Sequence, residues 1–439
     1  MREYFYVLMR HYLSLFILPQ NTAVEIDPLN ALLGAVLPNG KIAFTERRVA
    51  SDVAFPPDRV IDVGDIKDMQ PDYILVSGGV HYERDVQGLL AKLHAVSHAQ
   101  TRLIVTYYSN LWRPVMRLAS LLGFRSKTPE VNWLSHDDIN NLLALEDFEV
   151  VRRDCKVLLP IYVPLISNLV NRYLAPLPVF KWFSLVNIVV ARPIFVTAER
   201  PSVSIVVPAR NEAGNIESIV DRIPAMGPAD EIIFIEGNST DNTWETIQEI
   251  YARRGKERNI VISQQEGKGK GDAVRKGFSL ARNDILMILD ADMTVPPEDL
   301  PKFYGAIVSN KGEFINGSRL VYPMQDNAMR FLNMIGNKFF ALAFSFVLDQ
   351  RFNDTLCGTK VLTRLNYQKL VDNRSYFGNF DPFGDFDLIF GAARMCLKTI
   401  EVPISYRERV YGETNISRWR HGVILLVMLV FAARRIKFI

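Results

Sequence analysis

The run Ile285-Leu286-Met287-Ile288-Leu289 leads straight into Asp290-Ala291-Asp292. A short, unbroken apolar run reads as a strand buried on both faces. Two carboxylates one residue apart then stand at its carboxyl end, where open α/β sheets take their ligands. Alternate residues of an extended chain share a face, so Asp290 and Asp292 can address one site. Like charges this close repel unless a cation or hydrogen-bond donors come between them. A hard divalent ion held by one or two carboxylates and substrate phosphates meets that demand. The plainer alternative is a polar exit from a strand, since Asp favours turns. The neighbouring loops decide between the two.

Residues 203–207 form a β-branched run ended by Pro208, and Ala209-Arg210-Asn211-Glu212 follows as a turn into a helix. Residues 231–235 read as a second strand, followed by Glu236-Gly237-Asn238-Ser239-Thr240-Asp241, with Asp241 placed to cap the next helix. Residues 260–262 read as a third strand, after which Gly267-Lys268-Gly269-Lys270-Gly271 opens a helix reaching Ala281. Pro296-Pro297-Glu298 starts another, proline being tolerated in a first turn. Arg210, Asn211, Glu212 and Glu236 can hydrogen-bond a base or ribose. The glycines expose N–H groups at a helix start, which favours phosphate, and Lys268 adds charge. A nucleoside diphosphate with a metal is the ligand these loops share. Each loop alone is weak evidence: glycine–lysine runs are commonly solvated turns, and this spacing is not that of a P-loop.

Taken in order, these segments resemble the GT-A glycosyltransferases of family 2, over residues 202–420. The likeness is strongest to the polyprenyl-phosphate sugar synthases, such as dolichol-phosphate mannosyltransferase. Ser204-Ile205-Val206-Val207-Pro208-Ala209-Arg210-Asn211-Glu212 matches the family's opening strand and nucleotide loop. Glu236-Gly237 stands where the family usually has two Asp, so one acid is kept and one lost. Lys268-Gly269, Asp290-Ala291-Asp292 and Gly317-Ser318-Arg319 match its diphosphate, metal and donor-side motifs. Asp354-Thr355-Leu356-Cys357-Gly358-Thr359-Lys360 resembles its acceptor loop, with Cys357 read as a small packed residue.

The resemblance implies further roles. Asp385 or Asp387, in Phe383-Gly384-Asp385-Phe386-Asp387, stands where relatives with hydroxyl acceptors carry the general base; a carboxylate there is equally a favourable helix cap. Arg407, Arg409, Gly412, Glu413 and Thr414 match a late loop that closes over diphosphate and acceptor. The Gln-x-x-Arg-Trp motif of processive polysaccharide synthases is absent, Ser417-Arg418-Trp419-Arg420 only echoing it, which points to transfer of one sugar. The implied reaction is that of a hexosyltransferase of cell-envelope glycan synthesis. It is an inverting displacement from a nucleotide-diphosphate sugar, using Mg²⁺ or Mn²⁺. The acceptor is a polyprenyl phosphate, or a glycan or lipid hydroxyl.

The N-terminal part alternates differently. Residues 2–18 read as a helix; 23–26, 41–44, 60–63, 72–76, 102–106 and 148–152 read as strands; 89–97 and 112–122 read as helices. Ser135 or Asp137 is placed to cap another helix. Such alternation predicts a parallel sheet covered on both faces. Pro71-Asp72-Tyr73-Ile74-Leu75-Val76, Leu103-Ile104-Val105, Asn132-Trp133-Leu134-Ser135 and Phe148-Glu149-Val150 resemble a class I methyltransferase that uses S-adenosylmethionine. In that family the first strand enters a glycine-rich loop. Here Ala23-Val24-Glu25-Ile26 enters Asp27-Pro28-Leu29-Asn30, with no glycine. Glycine lets backbone approach a ligand closely, whereas proline fixes φ and removes a donor. Glu46 is left as a ribose partner or a solvated charge. The expectation is a degenerate Rossmann-like domain over residues 1–195 in which S-adenosylmethionine binding is not expected.

The chain is therefore expected to be α/β throughout: a methyltransferase-type Rossmann-like domain, a linker at about residues 192–202, a GT-A domain and a C-terminal apolar and basic helix over 421–439. A bifunctional methyltransferase–glycosyltransferase and a non-catalytic scaffold are the competing readings. A net charge of +3 gives no footing for nucleic acid. Three cysteines far apart form neither a disulfide framework nor a zinc site and suit a reducing compartment. The N-terminus lacks a signal-peptide pattern, and no uncharged apolar stretch reaches the roughly 18 residues of a spanning helix. The expected location is cytoplasmic, with a peripheral position on the inner face of a membrane left open. Residues 157–196, apolar and rich in proline, are left between covering the sheet, packing on the next domain and touching lipid. Residues 329–348 are left between helical core and a lipid-facing groove. Arg434, Arg435 and Lys437 give the apolar tail a basic end suited to an anionic surface.

Overall fold

The computed structural model describes residues 2–28, 41–45, 59–123, 132–195, 200–321, 331–374, 384, 386–407, 411 and 418–439. Its internal contacts fall into two units, Met1–Phe195 with Ala433–Ile439, and Val196–Ala432.

Unit 1 holds seven strands: β1 (Thr22–Ile26), β2 (Lys41–Thr45), β3 (Val60–Ile61), β4 (Tyr73–Ser77), β5 (Arg102–Tyr108), β6 (Phe148–Lys156) and β7 (Val186–Pro193). They lie in the order β3-β2-β1-β4-β5-β7-β6. The pairs among β1 to β5 are parallel, and β7 runs antiparallel between β5 and β6. β4 and β7 are buried along their whole length, as strands covered on both faces must be. Val24, Ile74, Leu103 and Val189 share the core with Leu90 and Leu143 from the helices Val86–Ala95 and His136–Leu145. Ser135 caps the latter helix through a reciprocal box, its hydroxyl accepting from the Asp138 N–H while the Asp138 carboxylate accepts from the Ser135 N–H. The strand order reverses between β1 and β4. A cavity opens there, lined by Ile26, Asp27, Thr45, Asp62, Val76 and Gly79 among others.

The structure departs from the sequence reading at β3, two residues long and followed by a 3-10 turn, and at β7. Residues 186–191 are as β-branched as any strand here, but they follow a long proline-rich stretch. The tail also differs. The helix Arg418–Ala432 belongs to unit 2, while Ala433–Ile439 packs into unit 1. Lys437 is buried there with Ile436 and adds its charge to the buried Asp154. Burial pushes the Asp154 carboxyl up, but Lys156, Arg152, Lys181 and Lys437 outweigh it and hold the group below the usual carboxylate range. Lys437 therefore faces protein and not solvent.

Unit 2 holds seven more strands: β8 (Val203–Ala209), β9 (Asp230–Glu236), β10 (Ile260–Gln264), β11 (Ile285–Ile288), β12 (Phe314–Ser318), β13 (Lys360–Thr363) and β14 (Thr399–Pro403). Their order is β10-β9-β8-β11-β13-β12-β14. β8 to β11 pair in parallel, β13 runs antiparallel to β11 and β12, and β14 is parallel to β12. This sheet too reverses its order, between β8 and β11. The four parallel strands match the runs read from the sequence. β12, β13 and β14 were not read as strands, because their apolar residues are few and β13 pairs with strands far away in sequence.

The helix Lys270–Leu280 crosses β8, and Gly277 touches the sheet. A Cβ on Gly277 would collide with both methyl groups of the buried Val206. Alanine ordinarily stabilises a helix interior by about 1 kcal/mol over glycine. Here overpacking reverses the sign: Gly277→Ala should lower the stability of the protein by ~1–3 kcal/mol, read from its denaturant midpoint at unchanged slope.

Candidate active site at the carboxyl edge of the second sheet

β11 ends at Ile288, and Asp290 and Asp292 lie just beyond it in a tight turn. Met293 there takes φ 53°. The turn, and not the strand pleat, sets the two carboxylates. Asp292 Oδ1 accepts from the Thr294 N–H at 3.1 Å and from its hydroxyl at 2.9 Å. Thr294 O in turn accepts from the Arg407 N–H at 3.0 Å, so the late loop begins against this turn. Tyr411 carries the loop back to the opening turn: a Cβ on Gly214 would come within 2.7 Å of its ring.

Asp290 is the electrostatic centre. Its Oδ1 lies 2.7 Å from Lys270 Nζ, at the first residue of the Lys270–Leu280 helix. Burial pushes this carboxyl up, but Lys270, Lys360 and Arg319 outweigh it, and Asp290 stays below its ordinary value. Lys360 comes from the antiparallel strand β13, is fully buried, and donates to Cys357 O. Gly358 packs its backbone directly against this pair: a Cβ there would run into the Asp290 carboxylate and Lys270 Nζ. Burial and the nearby Asp354 push the Cys357 thiol up to about 12, which leaves it protonated and inert.

Arg319 leaves β12 and is clamped by Asp354. Its Nε and Nη2 donate to the two carboxylate oxygens at 2.6 and 2.8 Å, and its own N–H donates at 3.1 Å. Asn337 Nδ2 and the Leu356 N–H also donate to Asp354, each at 3.0 Å. The guanidinium lies 5.2 Å from the centre of the Tyr406 ring. Asp354 has no solvent exposure; burial pushes it up, but Arg319 and these donors bring it down to about 2. Asp354 thus orients the arginine that faces the site.

The nucleotide-side residues form a second group. Pro208 lies in β8 beside Ile235 of β9, and Arg210 follows, exposed. The turns after the two strands are clipped together: Asn211 N–H donates to Ser239 Oγ at 3.0 Å, and Asn211 Oδ1 accepts from the Thr240 N–H at 2.8 Å. Glu212 and Glu236 are both buried. Glu212 Oε2 accepts from Asn215 Nδ2 at 2.7 Å. Glu236 accepts from the Ser239 N–H at 2.5 Å and from Gln264 Nε2 at 3.0 Å; burial raises this carboxyl, and these donors lower it further. Both carboxylates therefore shape the loops that present Arg210. Asp241 forms a turn onto Thr243, accepting from its N–H at 3.1 Å, and Asn242 takes the cap position.

Lys268 is exposed, and Lys270, two residues on, is the lysine that reaches a carboxylate. Sequence reasoning passed over Lys270 and Lys360 because a lysine in a loop reads first as a solvated charge; the doubled Gly-Lys was the only signal. Gly384, at φ 75°, brings its segment against the same helix start: a Cβ on Gly271 would meet Gly384 Cα at 2.9 Å. Asp387 opens the helix Phe386–Arg394, and its Oδ2 accepts from Arg374 Nε at 3.0 Å and lies 2.7 Å from Nη2. Asp385, Arg409 and Thr414 lie outside the described residues.

Asp354→Asn would leave Arg319 buried without its counter-charge. It should destabilise the protein by about 3–5 kcal/mol at neutral pH. Because the folded value of Asp354 lies below the unfolded one, its contribution is complete above about pH 4 and is lost as pH falls toward about 2. Urea titrations across that range should show a steeper loss of stability in the wild type than in the variant.

Residues 204–367 match the protein-family model described as Glycosyl transferase family 2. Glycosyltransferase AglJ of Haloferax volcanii is 29% identical over 235 residues, covering 53% of this chain and 72% of that protein. Dolichol-phosphate mannosyltransferase of Pyrococcus furiosus is 36% identical over 121 residues, covering 27% of this chain and 33% of that protein. A crystal structure of glucosyl-3-phosphoglycerate synthase from Mycobacterium tuberculosis, in complex with Mn²⁺, UDP and glucosyl-3-phosphoglycerate, is similar over 54% of this chain and 80% of its own. Its identity is 19% and its TM-score 0.40. Unit 2 carries a family 2 glycosyl transferase domain over residues 204–367, and by that domain the chain is a glycosyltransferase.

Proposed function

We propose that unit 2, as a GT-A domain, moves one sugar from a nucleotide-diphosphate sugar to a polyprenyl phosphate, with inversion at the anomeric carbon. The observation that carries this reading is the charge cluster at the β8/β11 switch point, where Lys270 Nζ lies 2.7 Å from Asp290 and Lys360 and Arg319 add positive charge. Such a cluster suits a ligand with several phosphate charges, at the edge where open sheets bind ligands.

The residues fit a divalent cation. Asp290 and Asp292 offer hard oxygen donors at one turn, and Gly358 lets its backbone pack closely against the Asp290 carboxylate. Together with substrate phosphates they would hold Mg²⁺ or Mn²⁺, which supplies Lewis-acid stabilisation of the leaving diphosphate. Arg210 and the clipped turns behind it would hold the nucleotide. Lys270 and Arg319 would set positive charge where the diphosphate gains negative charge, and Arg407, with Arg409 beyond it, would close over the phosphates.

The partner of Asp387 favours a phosphate acceptor. The Asp387 carboxylate is already committed to Arg374, which it meets through two nitrogens. A phosphate is already an anion and needs no base, whereas a hydroxyl acceptor would leave that task to Asp385. A polyprenyl phosphate resides in a membrane, so a peripheral position at its inner face goes with this reading.

For unit 1 we propose a methyltransferase-like Rossmann domain that has lost methyl transfer. Its sheet order, with β7 alone reversed, supports the likeness, and Pro28, which has no N–H to offer, directly follows Asp27 of the β1/β4 cavity.

Two measurements test these readings. In a nucleotide panel read by thermal stabilisation, one nucleoside diphosphate should raise the melting temperature with Mn²⁺, and Asp292→Asn should abolish the shift. Turnover of that variant should fall about a hundredfold, the size of one lost charge contact of ~3 kcal/mol. No shift with any nucleotide would turn the reading to a scaffold. Calorimetry with S-adenosylmethionine should show no binding; saturable heat would establish the bifunctional alternative.

A further inference from the structure

Outside the sugar-transfer site, unit 1 carries an apolar surface that its own fold does not cover. Residues 157–185 contain no Asp or Glu, and neither do residues 101–123. Within them Leu165 is 86% exposed, Trp182 76%, Leu121 78% and Val179 65%. Tyr162, Ile166, Leu169 and Phe183 are exposed around them. The helix Arg113–Leu121 buries none of its residues. The two segments are joined, because Trp112 Nε1 donates to Phe183 O at 2.9 Å. An exposed patch of this kind on a soluble chain marks an interaction surface.

The segment is built from inside. Ser167, fully buried, accepts from the Val163 N–H at 2.7 Å and donates to Ile161 O at 2.6 Å. Asn171, 1% exposed, accepts from the N–H groups of Leu158 and Leu159, each at 2.9 Å, and donates to Leu159 O at 2.8 Å. Prolines at 160, 164, 176 and 178 have no N–H to satisfy. These internal partners hold Leu165 at φ 64° and ψ −46°, a conformation that a bulky residue keeps only when its surroundings impose it. The outcome is a rigid turn with its polar groups inside and its leucine outside.

A loop in contact with water can leave its backbone to solvent. A loop that enters hydrocarbon must satisfy its backbone from within. The aromatic residues Tyr162, Trp182 and Phe183 suit the boundary between headgroups and acyl chains. The exposed charges on this surface are cationic: Arg113 and Arg117 on the helix, and Arg172 in the segment. Acid-free sequence, exposed arginines and internally satisfied backbone match an anionic lipid surface in both charge and polarity.

We propose that residues 157–185 and the helix Arg113–Leu121 of unit 1 dock this chain on an anionic membrane surface, with Leu165 and Trp182 inserted at the interface. The surface is independent of the sugar-transfer reading, which a failure here would leave standing.

The test is co-sedimentation of the full chain with phosphatidylcholine vesicles, with and without phosphatidylglycerol. The wild type should partition onto the anionic vesicles, with a blue shift in tryptophan emission. Leu165→Ser with Trp182→Ser should lose the partition and the shift while keeping the wild-type circular dichroism and melting temperature, since both side chains are exposed. Arg113→Gln with Arg117→Gln should weaken binding to anionic vesicles about tenfold or more and leave neutral vesicles unaffected. Equal partition of the wild type and the Leu165/Trp182 double variant would overturn the proposal. So would a concentration-dependent dimer, formed without lipid and abolished by that variant, because the patch would then be the seat of a second copy.

Discussion

A carboxylate kept ionised at the end of a buried strand is the constraint on which the site in unit 2 rests. Asp290 follows four residues with almost no solvent exposure, and its burial favours the protonated form. Each unit of pKa corresponds to about 1.4 kcal/mol, so the opposing charges must be near and well placed. Lys270 supplies one from a helix start, Lys360 one from an antiparallel strand and Arg319 one from the end of β12. Arg319 is available in a fixed direction because Asp354 clamps it, and Asp354 is itself held by Asn337 and Leu356. The charge at one residue thus depends on side chains brought in by a helix start, by β12 and by β13.

The two units reach comparable architectures by the same physical route. Each is a seven-stranded sheet with a parallel core and one strand reversed. Each reverses its strand order once. In unit 2 charged side chains meet beyond that point, with glycines at 271, 358 and 384 letting backbone come close. In unit 1 a cavity lies there, lined by Ile26, Asp27, Asp62, Val76 and Glu83 among others, and Pro28 follows the first strand. The same topology therefore carries different side chains at its switch point in the two units, and the difference lies in a handful of loop residues.

The parallel strands were legible because β-branched runs such as 203–207 and 231–235 need no partner to be recognised. β13 was not, because its four residues become a strand only through pairing with β11 and β12, 74 and 44 or more residues away in sequence. β7 was masked by the proline-rich stretch before it. The position of Asp290 and Asp292 just past a buried strand was legible from the apolar run before them. The chemistry of Glu236 and Asp387 was not: Glu236 is turned into its own loop by Ser239 and Gln264, and Asp387 is held by Arg374. A carboxylate in sequence carries a charge, but its partner decides whether that charge binds a ligand, accepts a proton or holds a loop.

By itself the sequence determined the α/β class, the positions of the parallel strands, and which strand ends carry polar loops. Those follow from local patterns of burial and turn chemistry, which act over a few residues. Tertiary structure decided which lysines meet Asp290, which arginine is clamped, and that Ala433–Ile439 belongs to the first unit. These are juxtapositions of groups distant in the chain, chosen by the packing of whole sheets, and no local pattern encodes them.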